Sequence, residues 1–402
     1  MKILFAAGHL PSMKGRQAGA KTSYGICRFL AQSHEVHLAA FATVDELSIF
    51  DQDEMSVFAS WKTFPVSRFT RITGILQSPH LPLQIAARKS RAFGRYIHGL
   101  QGQHGFDVVV LDHTNLFQYA DLFPLSTITV GSAHDILTQS WERREASPRG
   151  ILRRALVSWE RKRIQRWEDN SFQSLNLLVV QSLKDKIYVE RKFSPRSEPL
   201  AISPWIHRSS FARQGIEPEK HPNSLLFWGA MDRQENIDAA TWIAKEIHPL
   251  IRRSIPGATF YVAGNRSKDL EPQLGQCEGV VLLGFIEDVA AMMKSMEIAL
   301  LPLRLGAGIK VKTLECMDAG MPVVTTEVGA EGIDGTNDVE LMIRATREEL
   351  AQAAVELLLD KDRARAVGAA GQRMINKNYD FDGKLRELEA RLSKISECEV
   401  GK

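Results

Sequence analysis

Short apolar runs alternate with amphipathic segments along the first half of the chain. Apolar runs of about four to eight residues, without polar alternation, are typical of strands buried on both faces of a parallel sheet. Helical spacing of apolar residues follows the first run, over Thr22–Ser33. The first half is therefore predicted to be an α/β unit. Its predicted strands are Ile3–Ala7, Val36–Phe41, Asp107–Asp112, Ile128–Val130 and Leu177–Gln181.

The same alternation restarts after a proline-rich crossing at residues 195–222. A chain of 402 residues is longer than one ordinary core supports. We therefore predict an α/β architecture of two Rossmann-like, doubly wound domains, residues 1–203 and 204–377, with a cleft between them. The predicted strands of the second domain are Ser224–Gly229, Ala258–Gly264, Val280–Gly284, Glu297–Pro302 and Val323–Thr326.

Composition narrows the class of protein. An apolar content of 44% and a charged content of 25% are typical of soluble globular proteins, and a net charge of +3 gives no overall electrostatic argument for nucleic acid. The apolar core of Met1–Gly8 is too short for a signal peptide, and no run approaches the roughly 18 apolar residues of a membrane span. A reducing cytoplasm is expected, since the cysteines are scattered without metal-type spacing: Cys27, Cys277, Cys316 and Cys398.

A glycine-bearing loop and a short helix follow the predicted strand that ends near residue 303. Gly306 and Gly308 lie in the loop, and the helix carries Lys310, Lys312 and Glu315. Loops at the carboxyl ends of parallel strands bind ligands, and backbone N–H groups at a helix N-terminus suit a phosphate. The lysines add positive charge, and the carboxylate is an acceptor for sugar hydroxyls. The combination predicts a nucleotide sugar as ligand.

This stretch, Gly306–Thr326 with Gly329–Gly332, resembles the retaining glycosyltransferases of family 4, which have the GT-B fold. The resemblance implies two facing Rossmann-like lobes and a last helix, about 378–402, that packs back on the first lobe. It implies hexosyl transfer from a nucleoside diphosphate sugar to a hydroxyl acceptor, with retention and with neither metal nor other cofactor. The expected acceptor is a glycan or a lipid-linked molecule in surface polysaccharide or glycolipid assembly.

The resemblance also assigns donor-binding residues. Glu315 matches the glutamate that holds the nucleotide ribose. The family's other glutamate, eight positions earlier, is replaced by Ala307, which leaves contacts with the donor sugar to the backbone around Gly308–Ile309. Gly284–Phe285 stands where the family's backbone contacts the base.

The expected diphosphate contacts depart from the family pattern. The family's arginine and lysine in the loop after Gly229 are replaced by Ala230 and by residues 235–236. Arg233 is the nearest cation, and its alternative role is that of a surface arginine in a turn. Lys310 and Lys312 then carry more of the phosphate binding. Lys312 is preferred, because it lies three residues before Glu315 and so on its side of the helix.

In the first half, His134 and Asp135 follow a strand directly and are the candidate catalytic residues. By resemblance, His134 faces the donor sugar and the β-phosphate. The alternative is that this pair merely caps the next helix. Asp112–His113 ends the previous strand and competes for the catalytic role. Gly19, in the loop after the first strand, is expected near the donor diphosphate, with an ordinary connecting loop as its alternative.

Two basic, amphipathic segments, Arg68–Arg95 and Arg143–Arg166, predict contact with an anionic membrane surface at its inner face. Their alternative is a solvated helix face whose leucines and tryptophan turn to the core. Two rival functions also remain: a binding protein of the same fold without catalysis, and a nucleotide-dependent oxidoreductase. The second is disfavoured because no Gly-x-Gly-x-x-Gly follows the first strand.

Overall fold

The computed structural model describes residues 1–15, 18–49, 51–146, 151–206, 220–306 and 308–400, without the side chains of residues 146, 151, 152 and 398–400. The chain divides into two compact units. The first unit consists of Met1–Trp205 and Phe381–Lys402, and the second of Ile206–Asp380. Each unit has its own sheet and its own hydrophobic core.

The first unit contains a parallel sheet with the order β3-β2-β1-β4-β5-β6-β7. Its central strands are almost wholly buried, as their continuous apolar runs predict. The order reverses between β1 and β4, where Ala7 pairs with Asp112. The strands are β1 (Lys2–Ala7), β2 (Glu35–Ala42), β3 (Ser60–Pro65), β4 (Val108–Asp112), β5 (Ile128–Ala133), β6 (Leu177–Val180) and β7 (Leu200–Ala201).

Helices connect these strands. A helix α1 begins at Ala18, four residues before the predicted start, and buries Ile26 and Leu30. A 3₁₀ helix spans Thr114–Leu122. The α-helices are α1 (Ala18–Leu30), α2 (Val44–Ser48), α3 (Gln52–Met55), α4 (Arg68–Gln77), α5 (Leu83–Ala86), α6 (Arg91–His104), α7 (Leu137–Ala146), α8 (Ile151–Ser174) and α9 (Leu183–Lys192).

The second unit contains a parallel sheet with the order β10-β9-β8-β11-β12-β13, which reverses between β8 and β11. Its strands are β8 (Ser224–Trp228), β9 (Thr259–Ala263), β10 (Val280–Gly284), β11 (Ile298–Leu301), β12 (Val323–Thr325) and β13 (Met342–Ile343). Its α-helices are α10 (Gln234–Trp242), α11 (His248–Ser254), α12 (Glu271–Leu274), α13 (Val289–Ser295), α14 (Val311–Asp318), α15 (Arg347–Leu359) and α16 (Lys361–Asn378). A π-helical turn, Ile243–Ile247, joins α10 to α11, and a 3₁₀ turn, Ser267–Leu270, precedes α12.

The last helix, α17 (Phe381–Val400), returns to the first unit. Its leucines at helical spacing, Leu385, Leu388 and Leu392, are buried in the same core as the apolar face of α1. The proline-rich crossing is shorter than its composition predicts, because β7 lies inside it and the first unit extends to Trp205. Residues 207–219 of the crossing lie outside the described residues.

Both sheets therefore have a point at which neighbouring strands connect in opposite directions. Open α/β sheets bind ligands at the carboxyl ends of strands at such a point. In the first unit it is the edge formed by the ends of β1, β4 and β5. In the second unit it is the edge formed by the ends of β8 and β11.

Candidate functional site

A histidine and carboxylate cluster lies at the carboxyl edge of the first sheet. Asp112 is the last residue of β4 and is fully buried. Its carboxylate lies 2.8 Å from His134 Nε2 and accepts a hydrogen bond of 2.6 Å from Ser23 Oγ of α1. His134 follows β5 directly, so two neighbouring strand ends and one helix hold the cluster. Asp112 is thus the hydrogen-bond partner of His134.

The Asp112–His134 pair favours its charged form. Burial would raise the pKa of Asp112, but the charge and the hydrogen bond of His134 bring that pKa well below the ordinary value. Burial also works against a charged imidazole, yet the charge and hydrogen bond of Asp112 raise the pKa of His134 overall. Because Nε2 is held by Asp112, Nδ1 remains the ring nitrogen for a ligand. An idealised Cβ on Gly19 would lie only 2.8 Å from that Nδ1, so glycine leaves room for the ring.

Two further histidines surround His134. The ring centroid of His9 lies 5.4 Å from that of His134, and the His113 ring stacks on it at 5.0 Å. Burial lowers the pKa of both His9 and His113, the latter strongly. His113 has a φ of +109°, and its buried Nδ1 has no hydrogen-bond partner in the described part of the chain. Strained backbone of this kind often accompanies a functional site.

The helix that follows this cluster is capped from elsewhere. The carboxylate of Glu168, in α8, accepts hydrogen bonds from the N–H groups of Leu137 and Thr138, at 2.7 and 2.9 Å. The backbone carbonyl of Asp135 accepts a hydrogen bond from Thr114 Oγ1 at 3.2 Å. Glu168 therefore satisfies the N–H groups of Leu137 and Thr138 at the start of α7.

In the second unit, Lys312 of α14 reaches into the loop after β8. Its ammonium donates a hydrogen bond to Asn236 Oδ1 and lies 4.9 Å from the ring centroid of Phe227. Burial lowers the pKa of Lys312 to about 7. Gly229, with a φ of +155°, leaves space for this ammonium, since an idealised Cβ there would lie 2.7 Å from Nζ. A lysine from a different helix thus fills the loop where the resembling family places its own lysine.

Lys310, two residues earlier, points elsewhere. It lies at the start of α14, and its Nζ donates a 2.7 Å hydrogen bond to the carbonyl of Gly308. The same Nζ lies 3.8 Å from a carboxylate oxygen of Glu331, and both side chains are almost fully buried. Lys310 therefore fastens the glycine loop to the Gly329–Gly332 turn. Ala307, the position of the missing glutamate, lies outside the described residues.

Glu315 lies one turn beyond Lys312 on α14 and is partly exposed. Thr313 anchors this helix, because its Oγ1 donates a 2.9 Å hydrogen bond to the carbonyl of Gly329. Gly329 has no room for a side chain, because an idealised Cβ would lie 2.0 Å from Thr325 Oγ1. The glycine-rich turn after β12 therefore fixes the position of α14 and of Glu315 with it.

Arg233 and Gly284–Phe285 are the next of the predicted donor residues. Arg233 precedes α10, has a side chain 58% exposed and lies 3.7 Å from Glu235. Gly284, with a φ of +83°, donates its N–H to Ser267 Oγ at 2.8 Å and accepts from the N–H of Gly264. The adjacent Phe285 is 74% exposed. The backbone of Gly284 is thus hydrogen-bonded within the protein, whereas Phe285 is exposed.

The two basic segments of the first unit contact each other, and their exposed residues are together called the α4–α8 face. Arg163 of α8 donates hydrogen bonds to the carbonyls of Pro79 and Leu81, and Glu160 accepts from the N–H of Leu83, which fastens α8 to the turn after α4. Its exposed apolar residues are Phe69, Ile72, Leu76, Leu83, Leu156 and Trp159. The alternative in which the leucines and tryptophan of these segments turn to the core is wrong for Leu76, Leu156 and Trp159. Residues 147–150 and the side chain of Leu152 lie outside the described residues.

Sequence reasoning missed the partners of the predicted residues more than the residues themselves. Ser23, Asn236 and Glu331 drew no functional prediction, although each now contacts a predicted residue. Their only signals were positions beside a strand end or within a glycine-rich turn. Pairing across 76 residues, as between Asn236 and Lys312, has no local signature.

Comparison with known proteins agrees with this architecture. The profile of the family described as "Glycosyl transferases group 1" matches residues 222–360. The crystal structure of Anabaena Alr3699/HepE in complex with UDP and glucose matches with a TM-score of 0.65 and 14% identity, over 98% of this chain and 100% of that one. The chain has the GT-B fold. At 14% sequence identity, this similarity supports the fold alone.

Curated relatives match a smaller part. An uncharacterised 44.6 kDa protein in the cps region of Klebsiella pneumoniae is 26% identical over 169 residues, 40% of this chain and 43% of that protein. A GDP-mannose-dependent α-(1-6)-phosphatidylinositol monomannoside mannosyltransferase of Mycobacterium tuberculosis is 28% identical over 155 residues, 35% of this chain and 40% of that protein. The matched part of the chain spans less than half the length of each of these relatives. Among its described helices, none has the length and apolar content of a membrane span.

Proposed function

We propose that the protein is a retaining glycosyltransferase that moves a sugar from a nucleoside diphosphate sugar to a hydroxyl acceptor without a metal ion. One observation carries the proposal: a buried lysine ammonium lies beside a glycine loop at the switch point of the second sheet. This site falls within the segment that matches group 1 glycosyl transferases. The named UDP and glucose complex of a structural neighbour supports the donor class.

The diphosphate would bind against Lys312. An ammonium whose pKa is lowered to about 7 by burial is only partly charged at neutral pH. A diphosphate brought next to it supplies the missing opposite charge and raises that pKa again. The N-terminus of α14, which begins at Val311, adds a favourable dipole for the same anion. This arrangement stabilises the negative charge that develops on the departing diphosphate.

The remainder of the donor would lie along the same edge. We assign the ribose hydroxyls to Glu315, the base to the backbone at Gly284–Phe285, and the donor sugar to the backbone around Gly308–Ile309. Since the N–H of Gly284 is already used by Ser267, Phe285 is the stronger candidate of that pair. Arg233, which is exposed, is placed to assist with the phosphates.

In the first unit, the role of His134 is set by Asp112. With Nε2 held by the carboxylate, the charged imidazole donates from Nδ1, towards Gly19 and the start of α1. Such a donor suits a sugar hydroxyl or a β-phosphate oxygen. We propose no protein nucleophile. The departing phosphate takes the acceptor proton on the face where the new bond forms, which retains the anomeric configuration.

The acceptor would be a glycan or a lipid-linked molecule in surface polysaccharide or glycolipid assembly. The mycobacterial relative is named for a phosphatidylinositol mannoside, which supports a lipid acceptor. The α4–α8 face supports work at the inner face of a membrane. It combines exposed apolar side chains with the arginines Arg68, Arg71, Arg153 and Arg154, all exposed.

The membrane contact is tested by flotation with vesicles. Wild type is expected to float with anionic liposomes at low salt, and to remain at the bottom with neutral ones. Ile72→Asp and Leu76→Asp together should abolish flotation without lowering the melting temperature, because both side chains are exposed. Equal flotation of this variant, or none for the wild type, would refute the contact.

The transfer reaction is tested with labelled nucleotide sugars and a lipid extract as acceptor, in the presence of a chelator. Wild type should transfer label from one class of donor, and the anomeric configuration of the product should equal that of the donor. Asp112→Asn should retain nucleotide binding while losing most of the transfer. Binding of a nucleotide sugar without any transfer by the wild type would favour the binding-protein alternative.

A further inference from the structure

Three side chains with metal-binding atoms converge at the opposite, amino-terminal edge of the first sheet. Glu35 begins β2, His37 follows two residues later on the same face of the strand, and His104 ends α6. Each offers one ligand atom, and these atoms all lie within 4.8 Å of one another. The cluster is distinct from the one around Asp112, which lies at the carboxyl ends of the strands.

His37 is the fixed member of this cluster. It is buried, and its Nδ1 lies 2.7 Å from Ser60 Oγ, at the start of β3. Its Nε2 lies 2.9 Å from the Glu35 carboxylate. When Nδ1 carries the proton and donates to Ser60, Nε2 becomes the free ligand nitrogen. A histidine that ligates a metal is usually oriented in this way by a hydrogen bond from its other nitrogen.

Glu35 and His104 are the adjustable members. Glu35 is exposed and His104 is partly buried, so both can rotate towards an ion. The His104 ring centroid already lies 4.4 Å from that of His37.

We propose that Glu35, His37 and His104 bind one divalent transition-metal ion, with Zn²⁺ as the reference. Two imidazole nitrogens and one carboxylate oxygen are a common ligand set for Zn²⁺, whereas Mg²⁺ and Ca²⁺ prefer oxygen ligands. Tetrahedral ligands about 2.1 Å from zinc are about 3.4 Å apart. Spacings of up to 4.8 Å therefore contract by at most about 1.4 Å. The 2.9 Å contact between Glu35 and His37 widens, and the ion replaces that hydrogen bond.

The ion would cross-link secondary structure elements. It joins the start of β2 to the end of α6, with β3 engaged through Ser60. Because the catalytic candidates lie at the other edge of the sheet, the ion stabilises the first unit and takes no part in sugar transfer. The site is therefore compatible with a metal-independent reaction, and it does not rest on the proposed function.

The test is a Zn²⁺ titration by calorimetry on the full chain after removal of metal. Wild type should bind one ion at this site, and Glu35→Gln and His104→Gln should each weaken that binding by at least about tenfold. Ser60→Ala should weaken it less. His98→Gln is the matched control, because His98 lies on the same helix but contacts the Leu122 carbonyl instead, so its Zn²⁺ affinity should equal that of the wild type.

A second readout separates ligation from folding. Metal-free Glu35→Gln and His104→Gln should melt close to the wild type, since neither residue is fully buried, and only the wild type and His98→Gln should gain melting temperature on adding Zn²⁺. Absence of zinc binding by the wild type would overturn the proposal. Unchanged affinity in both ligand variants would also overturn it, because the ion would then be bound by other histidines.

Discussion

The two strand-end clusters of this protein handle buried charge in opposite ways. In the first unit, the His134 cation has a buried carboxylate partner, Asp112, and each strengthens the charged form of the other. In the second unit, the ammonium of Lys312 has the neutral amide of Asn236 as its described hydrogen-bond partner, and burial lowers its pKa to about 7. In the first cluster, the two opposite charges therefore offset each other. In the second cluster, the nearby carboxylate of Glu235 favours the charged lysine but does not offset its burial.

Under the proposed function, this difference would separate donor binding from chemistry. A cation whose burial is only partly offset by a nearby carboxylate costs stability, and a bound anion recovers that stability. Such a site is suited to capturing a diphosphate. A histidine with a fixed carboxylate keeps one tautomer and one orientation, which suits a group that must donate from a set position. We therefore assign capture of the donor to the second unit and positioning of the reacting groups to the first.

Substitutions of the two neighbouring lysines, Lys312 and Lys310, test this difference most strongly. Lys312→Met should lower affinity for the nucleotide roughly 100-fold, because a buried charge pair with the diphosphate is lost. The free protein should be as stable as the wild type or more so, since methionine keeps the apolar stem without the buried charge. Calorimetry and thermal melting measure the two effects.

Lys310→Met is the matched control, because it removes the same group two residues away. It leaves Glu331 buried without its cation, so the protein should lose about 3 kcal/mol of unfolding free energy. The two substitutions should thus act in opposite directions on stability. Equal destabilisation by both would contradict the distinction between a binding lysine and a structural one.

The internal balance of the first unit is tested by Asp112→Asn. The pKa of His134 should fall, because the charge that raises it is removed, and turnover should drop by about 100-fold while nucleotide affinity changes little. The decline of turnover at high pH should also begin at a lower pH, since the charged imidazole is lost sooner. A pH profile identical to that of the wild type would exclude the positioning role of Asp112.

The buried charge of the second unit predicts a pH dependence. Nucleotide affinity should fall by up to about tenfold per pH unit above pH 7, since the free protein must take up a proton at Lys312. Stability of the free protein has the reverse trend. The folded pKa of about 7 lies below the unfolded value of roughly 10.4, so unfolding takes up protons between them and stability rises across that range.

Calorimetry in buffers of different ionisation enthalpy measures the proton uptake. It should approach about half a proton near pH 7 and increase towards one as the pH rises, until the pKa of the complex is reached. In Lys312→Met this contribution should vanish. A proton uptake that persists in that variant would assign the titration to another group.

The smallest effect on nucleotide affinity is expected for Arg233. Arg233→Ala should weaken nucleotide binding by less than about fivefold, because its side chain is largely exposed and the charge is screened by solvent. The effect should disappear at high salt. A loss as large as that of Lys312→Met would move the diphosphate towards Arg233 and away from α14.

The strands were predictable because continuous apolar runs are required for strands covered on both faces. Strand β3 escaped prediction since it lies at the sheet edge and is mostly exposed, and β7 since it has only two residues in a proline-rich stretch. The last helix, expected at about 378–402, begins at Phe381, because Tyr379–Asp380 separates it from α16. These elements are set by tertiary packing more than by local pattern.

The candidate site was predictable only as a set of strand-end residues. Lys312 was favoured from spacing on its helix, but nothing in that spacing shows that its ammonium enters the loop after β8. The pairing of His134 with Asp112 was equally hidden, although each residue follows from the end of its strand. Burial and pKa depend on residues far apart in sequence, so the charge balance of each cluster appears only in the structure.

The central claim is that the second unit binds a nucleoside diphosphate sugar through α14. The most direct test is the affinity of the wild type and Glu315→Ala for UDP, GDP, ADP and their common sugar conjugates. Selective binding of one nucleotide, weakened at least about tenfold by Glu315→Ala with no loss of melting temperature, is the predicted result. Binding of none of them by the wild type, or equal affinity in both proteins, would contradict the account.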